Sequence, residues 1–387
     1  MAYAHAPVCG MTSGRSTAGE TGRDAAPSRS RTRIGWVISG ALAGLIVAGG
    51  ALLFSVAPGS GISGFKKADG RVLFRALATR ADSARAVSVA AADGGRVTLE
   101  RADPTSPWRL AENGGYPVRS GAVERLLRSL TALRAAYVSA QASPSYAEYG
   151  LVEPASNPGT GTAVAVRDGR GAVLARALVG HGFAAPGLVG DRGQFIRLAG
   201  ESRVWLADRE ISVSARPETW FDNTVVDIGS PRVRRVSLAG PDSPEIAIAR
   251  GGEGELRIER GLPDGAELKG PWVLESIAGL LERVRFRDVM PSDRLPPEAA
   301  QIGIATVETT GGVAYTVRLL AAAADADPED IRATFSAAPA GGADDAAAQR
   351  AEQFSARHAG WAYALPLHFI ESMSIRPEDI ARQSAAQ

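Results

Sequence analysis

The sequence predicts an α+β protein in which two tandem repeats of a mainly antiparallel sheet, each covered by an amphipathic helix, follow one transmembrane helix. Three observations support this prediction. Residues 34–57 form an uncharged apolar stretch, short alternating segments begin at Arg85, and the second half of the chain repeats the pattern of the first. In chain order, the predicted parts are a disordered cytoplasmic tail (1–33), the transmembrane helix (34–57), a linker with a short amphipathic segment (58–82), a first α+β repeat (83–230) and a second α+β repeat (231–387).

Residues 34–57 are long enough to cross a membrane. At about 1.5 Å per helical residue they extend roughly 36 Å, and a hydrocarbon core is about 30 Å thick. Arginines precede the stretch and Pro58 ends it. A removable signal peptide is the alternative, because residues 55–57 resemble a cleavage site, but the apolar stretch is longer than is usual for one. We therefore predict an anchor in the inner (plasma) membrane, with the large C-terminal part in the periplasm or another extracytoplasmic space.

Composition and charge exclude several kinds of site. The 387 residues carry 43 Lys and Arg against 42 Asp and Glu, a net charge of +1. No overall field therefore favours nucleic acid as a partner. The one cysteine, Cys9, lies in the tail, which excludes an internal disulfide and a cysteine nucleophile in either repeat.

The first repeat begins with strands and continues into a helix. Val123, Leu126, Leu130 and Leu133 recur at helical spacing, which predicts an amphipathic helix over residues 121–138. Alternating segments bounded by Gly, Pro and Asp predict seven strands. The predicted strands are 86–89, 96–100, 108–110, 162–166, 172–179, 194–198 and 203–207, followed by a short helix within 209–221.

The second half restates these features in the same order. Each apolar helix position recurs 151 residues later, at Leu274, Ile277, Leu281 and Val284. Four further segments match in order: 85–89 with 234–238, 108–110 with 256–258, 149–151 with 302–304, and 214–218 with 374–378. A duplication with loop insertions predicts this pattern. The largest insertion is the Ala/Gly/Asp-rich segment 337–353, which predicts a mobile loop.

No residue is predicted to be catalytic, cofactor-binding or metal-binding. The four histidines, His5, His181, His358 and His368, show no HExxH or other tight ligand spacing. The sequence has no G-x-S-x-G elbow and no phosphate-binding loop. The acidic residues Asp325, Asp327, Glu329 and Asp330 resemble a calcium loop only in density, because Pro328 interrupts them.

Several segments together resemble a known family. They are the strand at 85–89, the Trp-Arg-Leu strand at 108–110, the helix at 123–133, the Ala-Glu-Tyr-Gly-Leu signature at 147–151 and the strand at 203–206. On these residues, the stretch 65–228 resembles the bacterial family called domain of unknown function 4340. The second repeat matches more loosely, with Ile302 in place of Tyr149.

The resemblance implies a single-pass, membrane-anchored, non-catalytic component, of a kind often encoded beside parts of ABC-type transporters, including those associated with gliding motility. We therefore expect an interaction or accessory module, with the lipid bilayer and subunits of a membrane transport complex as partners. We expect no cofactor, no nucleic acid and no small-molecule substrate. Two alternatives stay open: a periplasmic hydrolase acting on glycans or peptides through carboxylates, and a small-ligand sensor that binds between the repeats.

Overall fold

The computed structural model describes residues 62–141, 144–156, 159–241, 243–323 and 326–383. The predicted tail (1–33) and the predicted transmembrane helix (34–57) lie outside the described residues. Among the described residues, no helix is both long and apolar enough to cross a membrane. The described residues all belong to one unit, Val56–Gln387. We call the described residues up to Arg232 the first lobe, and those from Val233 onward the second lobe.

The first lobe contains a sheet of ten antiparallel strands. Their spatial order is β1-β6-β10-β9-β8-β7-β2-β3-β4-β5. The strands are β1 (Phe65–Lys67), β2 (Ala84–Ala90), β3 (Arg96–Glu100), β4 (Arg109–Leu110), β5 (Tyr116–Pro117), β6 (Ala135–Ser139), β7 (Thr162–Asp168), β8 (Val173–Ala184), β9 (Arg192–Leu198) and β10 (Trp205–Ala207).

The second lobe contains an antiparallel sheet of eight strands, in the order β14-β13-β12-β18-β19-β20-β21-β17. These strands are β12 (Val233–Gly240), β13 (Ser243–Arg250), β14 (Leu256–Arg260), β17 (Asp288–Pro291), β18 (Ala300–Thr309), β19 (Val313–Ala321), β20 (Arg332–Pro339) and β21 (Trp361–Ala364). Two small sheets pair β11 (Thr224–Val226) with β16 (Val284–Arg285), and β15 (Ala266–Leu268) with β22 (Ala381–Gln383).

Six α-helices accompany these strands within the described residues. They are α1 (Arg75–Arg80), α2 (Ala122–Ala132), α3 (Pro271–Ala278), α4 (Asp345–His358), α5 (Leu367–Met373) and α6 (Pro377–Ile380). Short helices and mainly antiparallel sheets make the fold α+β, so that part of the prediction is confirmed. The predicted helix within 209–221 is wrong, because only Pro217–Thr219 form a single 3₁₀ turn there.

Helix α2 covers the inner face of the first sheet. Val123, Leu126 and Leu130 are buried in one hydrophobic cluster with the inner side chains of β2 and β3. Burial of each such side chain contributes about 1.5–3 kcal/mol, which is enough to hold the helix on the sheet. The helix ends before its predicted limit of 138, because residues 135–139 form β6 and pair with β1 and β10.

The two sheets share a strand order. The sequence β6-β10-β9-β8-β7-β2-β3-β4 in the first sheet corresponds strand by strand to β17-β21-β20-β19-β18-β12-β13-β14 in the second. The register irregularity after Ala84 in the β2–β7 pair recurs after Val233 in the β12–β18 pair. Arg101 donates its Nε–H to the carbonyl of Ala84 at 2.9 Å, and Arg250 does the same to Val233 at 3.1 Å. The correspondence therefore includes backbone register and a side-chain contact.

One of the sequence matches is not a structural match. Tyr146–Tyr149 form a 3₁₀ turn ahead of β7, and Gly150 follows in the left-handed region with a φ of 66°. Residues 302–304, the matching segment, lie within β18 instead. A triplet with glycine between two apolar residues is compatible with both conformations, because glycine adopts either backbone region readily.

The segment predicted as a linker, 58–82, is part of the first lobe from Ile62 onward. Strand β1 pairs with β6, which places Phe65 opposite Ser139. Leu73, Phe74 and Leu77 are buried in the main core. The short amphipathic segment predicted within 58–82 corresponds to α1, whose Leu77 is buried, whereas β1 pairs with β6 in a stretch predicted as linker.

The low-complexity segment 337–353, predicted as a mobile loop, is also corrected by the structure. Strand β20 continues to Pro339, and α4 begins at Asp345. The carboxylate of Asp344 caps the helix by accepting the N–H of Ala347 at 2.7 Å. Ala347 and Ala351 are each 1% exposed. The segment is helical because alanine has the highest helix propensity and its small side chain lets α4 lie close to β19 and β20.

The lobes meet at the edges of the two sheets. Asn113, next to β5, donates from Nδ2 to Asp288 Oδ1 at 2.7 Å and to the carbonyl of Val289 at 2.8 Å, both on β17. Gly114 follows with a φ of 66°, and a Cβ there would lie 2.3 Å from Cγ of Pro291. No larger residue fits at this contact without displacing β17.

Candidate functional site

A groove of about 430 Å³ crosses the outer face of the first sheet, opposite α2. Because side chains alternate along a strand, the inward direction of Val87 and Val89 places Ser88 and Ala90 on this outer face. The floor consists of small side chains from three neighbouring strands: Ser88, Ala90, Thr98, Ala163 and Ala165. The floor therefore lies close to the backbone of the sheet.

Four arginines from four different strands surround this floor. They are Arg96 on β3, Arg167 on β7, Arg176 on β8 and Arg197 on β9, and we call the site the arginine groove. Their guanidinium groups stay charged at any physiological pH. The groove is thus a cationic surface on a chain whose total charge is close to zero.

Arg197 is the fixed member of the group. Its Nη2 donates to Glu153 Oε1 at 2.9 Å, and its guanidinium carbon lies 4.2 Å from the ring centroid of Tyr146. Its side chain is 18% exposed, compared with 56% for Glu153. The ion pair and the aromatic stack hold this arginine at one end of the groove.

The other three arginines have charges that no described carboxylate neutralises. The side chains of Arg96 and Arg176 make no hydrogen bond or ion pair with any described residue, and Arg167 donates only to the carbonyl of Gly171 at 3.1 Å. The two carboxylates that line the groove are already engaged. Glu153 pairs with Arg197, and Glu201 accepts the indole N–H of Trp205 at 2.7 Å. Three guanidinium groups therefore stay available to a ligand.

A second hydrophobic cluster lies beside the groove, and one of its members, Leu178, lines the groove. It lies on the outer face of the same sheet and is separate from the main core. Its buried members are Leu151, Leu178, Phe183, Ala185, Phe195, Val204 and Leu206. Tyr149 packs over it, with its ring centroid 4.8 Å from that of Phe195. The Tyr-Gly-Leu signature thus anchors the segment that carries Tyr146 and Glu153.

Gly150 permits this close packing. A Cβ on Gly150 would lie 2.6 Å from Cδ2 of His181, and a Cβ on Gly180 would lie 2.1 Å from the carbonyl oxygen of Tyr149. The pairing of β8 with β9 shifts register between Val179 and Gly182 at this point. The signature segment therefore lies directly against an irregular, glycine-flanked part of β8.

The signature and the strands around it fall within a region that a known family describes. The sequence model of the family described as Domain of unknown function (DUF4340) matches residues 108–301, half of the 387-residue chain. The chain belongs to the DUF4340 family. The matched region begins at Trp108 and ends within β18, so it includes the signature and three of the four groove arginines. No curated protein and no solved structure matches the chain.

The described histidines of this DUF4340 chain lie on different elements of the fold and differ in burial. His181 is exposed on β8 beside Gly150, and His368 is exposed on α5. His358 is 2% exposed, and its Nδ1 lies 2.7 Å from the hydroxyl of Tyr363. Burial lowers the pKa of His358 to about 4, so the imidazole is neutral at physiological pH. His5 lies outside the described residues.

The predicted acidic segment forms an ordinary turn where it is described. Asp327 accepts the N–H of Glu329 on its side chain at 2.9 Å and that of Asp330 on its carbonyl at 2.8 Å. Asp325 lies outside the described residues. Within the described ranges, no three His, Cys, Asp or Glu side chains are grouped so that they could hold a metal ion.

Two carboxyl groups of the described chain have a clearly shifted pKa, and both shifts are downward. Hydrogen bonds from Ser106 and Thr105 lower the pKa of Asp103, and a hydrogen bond from Arg192 lowers that of Glu210. A general acid needs the opposite shift, because it must keep its proton near neutral pH. Neither group lines the arginine groove.

Sequence reasoning missed the arginine groove. Its members lie between Arg96 and Arg197 and come together only through the pairing of β3, β2, β7, β8 and β9. A local signal exists, since Arg167 and Arg197 each follow a fully buried residue, Val166 and Ile196. That alternation predicts which face an arginine occupies, but not which arginines share that face.

Proposed function

We propose that the chain is a non-catalytic interaction module, held at the inner (plasma) membrane by residues 34–57, that contacts a partner protein through the arginine groove. Subunits of a membrane transport complex are the partners we favour. The observation that carries the proposal is the set of three guanidinium groups that have no carboxylate partner among the described residues and that lie around a floor of small side chains. Arginine does not exchange protons near neutral pH but binds planar anionic groups well, so the groove is suited to recognition.

We further propose that the two lobes are tandem copies of one building block. The shared strand order, the irregularities after Ala84 and Val233, and the contacts of Arg101 and Arg250 support this. Separate origins would have to reproduce all of these features. On this proposal, the arginine groove belongs to the first copy alone.

The test uses the full chain, tagged and cross-linked in the cells that produce it. We expect proteins recovered with the wild type from membranes to be lost with the double variant Arg96→Gln/Arg176→Gln. They should persist with the control Arg128→Gln, which removes an exposed charge from α2 on the other side of the sheet. A chain without residues 34–57 should move to the soluble fraction. Equal recovery of these proteins with Arg96→Gln/Arg176→Gln and with Arg128→Gln would contradict the proposal.

A second candidate function is a sensor for a small ligand, since a cavity of about 400 Å³ opens where the lobes meet. Tyr116, Val118, Asp222 and Arg357 line it. The exposed guanidinium of Arg357 lies 3.8 Å from Asp222, and Arg119 also lines the cavity, so the lining keeps a net positive charge. On this reading, small carboxylic acids should raise the melting temperature of the wild type but not of Arg357→Gln. The absence of any such shift would remove the sensor from consideration.

A further inference from the structure

We infer that the occupant of the arginine groove is an acidic segment of the partner protein, bound in an extended conformation with its Asp and Glu carboxylates on the guanidinium groups. This inference rests on the proposed function and specifies the chemistry of the partner. It draws on the length of the groove, the spacing of its charges and the nature of its floor.

The length of the groove suits an extended peptide. Arg96 lies opposite Ala90, Ala90 opposite Ala163, Ala163 opposite Leu178, and Leu178 opposite Arg197. Arg96 and Arg197 therefore end one row across five strands. Four spacings of about 4.8 Å give roughly 19 Å between the ends of the row. An extended chain rises about 3.3 Å per residue, so about six residues span this distance.

The spacing between Arg176 and Arg167 matches the spacing of alternate side chains in an extended peptide. Arg176 lies opposite Ala165, and Arg167 lies two residues further along β7. This diagonal relation places the two backbone positions about 7–8 Å apart. In an extended peptide, side chains on one face recur about every 6.6 Å. Carboxylates at every second position can therefore reach successive guanidinium groups.

The floor favours a peptide over an anion with a large apolar part. Ala90, Ala163 and Ala165 leave room for a backbone to lie close to the sheet, and Ser88 and Thr98 offer hydroxyl groups. The buried members of the hydrophobic cluster beside the groove are at most 8% exposed, and Tyr149 packs against Phe195, so the cluster presents no open slot for an acyl chain or an aromatic ring. A guanidinium binds a carboxylate with two parallel hydrogen bonds, which fixes both position and orientation.

The experiment measures binding of a fluorescent ten-residue peptide of alternating Glu and Ala to the full chain in nanodiscs of uncharged lipid. A Gln-Ala peptide of the same length serves as the control ligand. We expect the Glu peptide to bind and the Gln peptide not to bind. Arg96→Gln and Arg176→Gln should each weaken binding about three- to fivefold, and Arg128→Gln should leave it unchanged. Raising the salt concentration from about 0.05 M to about 0.5 M should weaken binding further.

Two competitors test other sources of negative charge. Inorganic polyphosphate and vesicles containing phosphatidylglycerol are each added to the same assay and titrated separately against the Arg96→Gln/Arg176→Gln variant. If either binds in a groove-dependent manner while the Glu peptide does not, the inference is overturned in favour of a phosphate-bearing ligand. Equal binding of the Glu peptide to the wild type and to the double variant also overturns it.

The outcome is separable from that of the proposed function. If the double variant loses its cross-linked partner while the Glu peptide fails to bind the wild type, the groove is still the contact surface and only its ligand chemistry is wrong. If the peptide binds as expected but no partner depends on the groove in cells, the chemistry stands and the proposed function is wrong.

Discussion

The outer faces of the two sheets differ in how charged side chains are paired at matched positions. Arg167 lies opposite Ala86 in the first sheet, and the corresponding position opposite Arg235 in the second sheet is Glu308. Glu308 pairs with Arg234, whereas Arg167 has no carboxylate partner among the described residues. At this matched position, the first lobe therefore carries an arginine without a described carboxylate partner, and the second lobe carries a paired glutamate.

The same contrast recurs one strand further on. Arg96 precedes Val97 on β3, and Glu245 precedes Ile246 at the matching point of β13. Glu245 accepts from Arg260 at 2.8 Å. Unpaired like charges do not stabilise a surface, so these arginines have no evident structural role, in keeping with the binding role that we propose for the groove. The following experiments test whether this difference between the lobes is real and how far it extends.

The largest expected effect concerns the hydrophobic cluster on the outer face of the first sheet. Leu151→Ala removes a fully buried side chain and should cost about 2–5 kcal/mol of unfolding free energy. Ile304→Ala, at the position that the sequence pairs with Leu151, should cost only about 1 kcal/mol because Ile304 is half-buried. Urea unfolding of both variants measures the difference. Equal losses would mean that Ile304 is packed as tightly as Leu151, contrary to its half-buried position.

The next effect concerns α4, which lies between β20 and β21 where the first lobe has only the short link between β9 and β10. Its residue His358 has a pKa of about 4 when folded and about 6.5 when unfolded. Below about pH 6.5 the unfolded chain therefore binds a proton that the folded chain does not. Stability is full above this pH and falls by up to about 3 kcal/mol as the pH approaches 4.

Thermal melts between about pH 7 and pH 4.5 measure this loss, within the range where His358 titrates in the unfolded chain. The groups that face His358 are Arg357 on its own helix and Tyr363 on β21, and the cationic Arg357 also disfavours protonation. His358→Gln should flatten the pH dependence in this range, whereas His368→Gln, which changes an exposed residue of α5, should leave it intact. If both variants behave like the wild type, the buried imidazole does not contribute.

The sequence predicts the regular parts of both lobes well. Strand β3 has the predicted limits 96–100, and the buried face of α2 is the predicted one. Alternation and helical periodicity are local properties of the chain, so they can be recognised without tertiary information. The same reasoning fails for 337–353, where a composition typical of loops forms α4, because packing against β19 and β20 decides the conformation.

The candidate site could not be predicted in the same way. Leu178 and Phe195 face away from the main core and belong to the outer cluster. A strand that is buried on both faces has a continuous apolar sequence without alternation. The sequence pattern therefore does not indicate which apolar residues form this cluster. The arginine groove depends on register across five strands, and a shift of one residue would turn each arginine to the other face. Local sequence patterns do not fix that register.

A smaller effect is expected from matched substitutions of Arg101 and Arg250, which test whether the two lobes correspond structurally. Arg101 and Arg250 each donate to backbone carbonyls at the start of the first long strand of their lobe, those of Ala84 and Val233 among them. Arg101→Met and Arg250→Met keep most of the aliphatic stem but remove these charge-assisted hydrogen bonds. Each should cost about 1–2 kcal/mol in urea unfolding, and the two losses should agree within about 0.5 kcal/mol. A large loss for one and none for the other would break the correspondence.

The smallest expected effect differs in sign between the lobes. Glu308→Gln breaks an ion pair with Arg234 and should lower stability by up to about 1 kcal/mol. Arg176→Gln removes a charge that lies near Arg167 without a carboxylate partner, so it should raise stability by a few tenths of a kcal/mol. Urea unfolding at about 0.01 M salt should show both effects, and about 1 M salt should abolish both, because exposed charges are screened. A loss of stability for Arg176→Gln would show that this arginine supports the fold, and its availability for an acidic ligand would no longer follow.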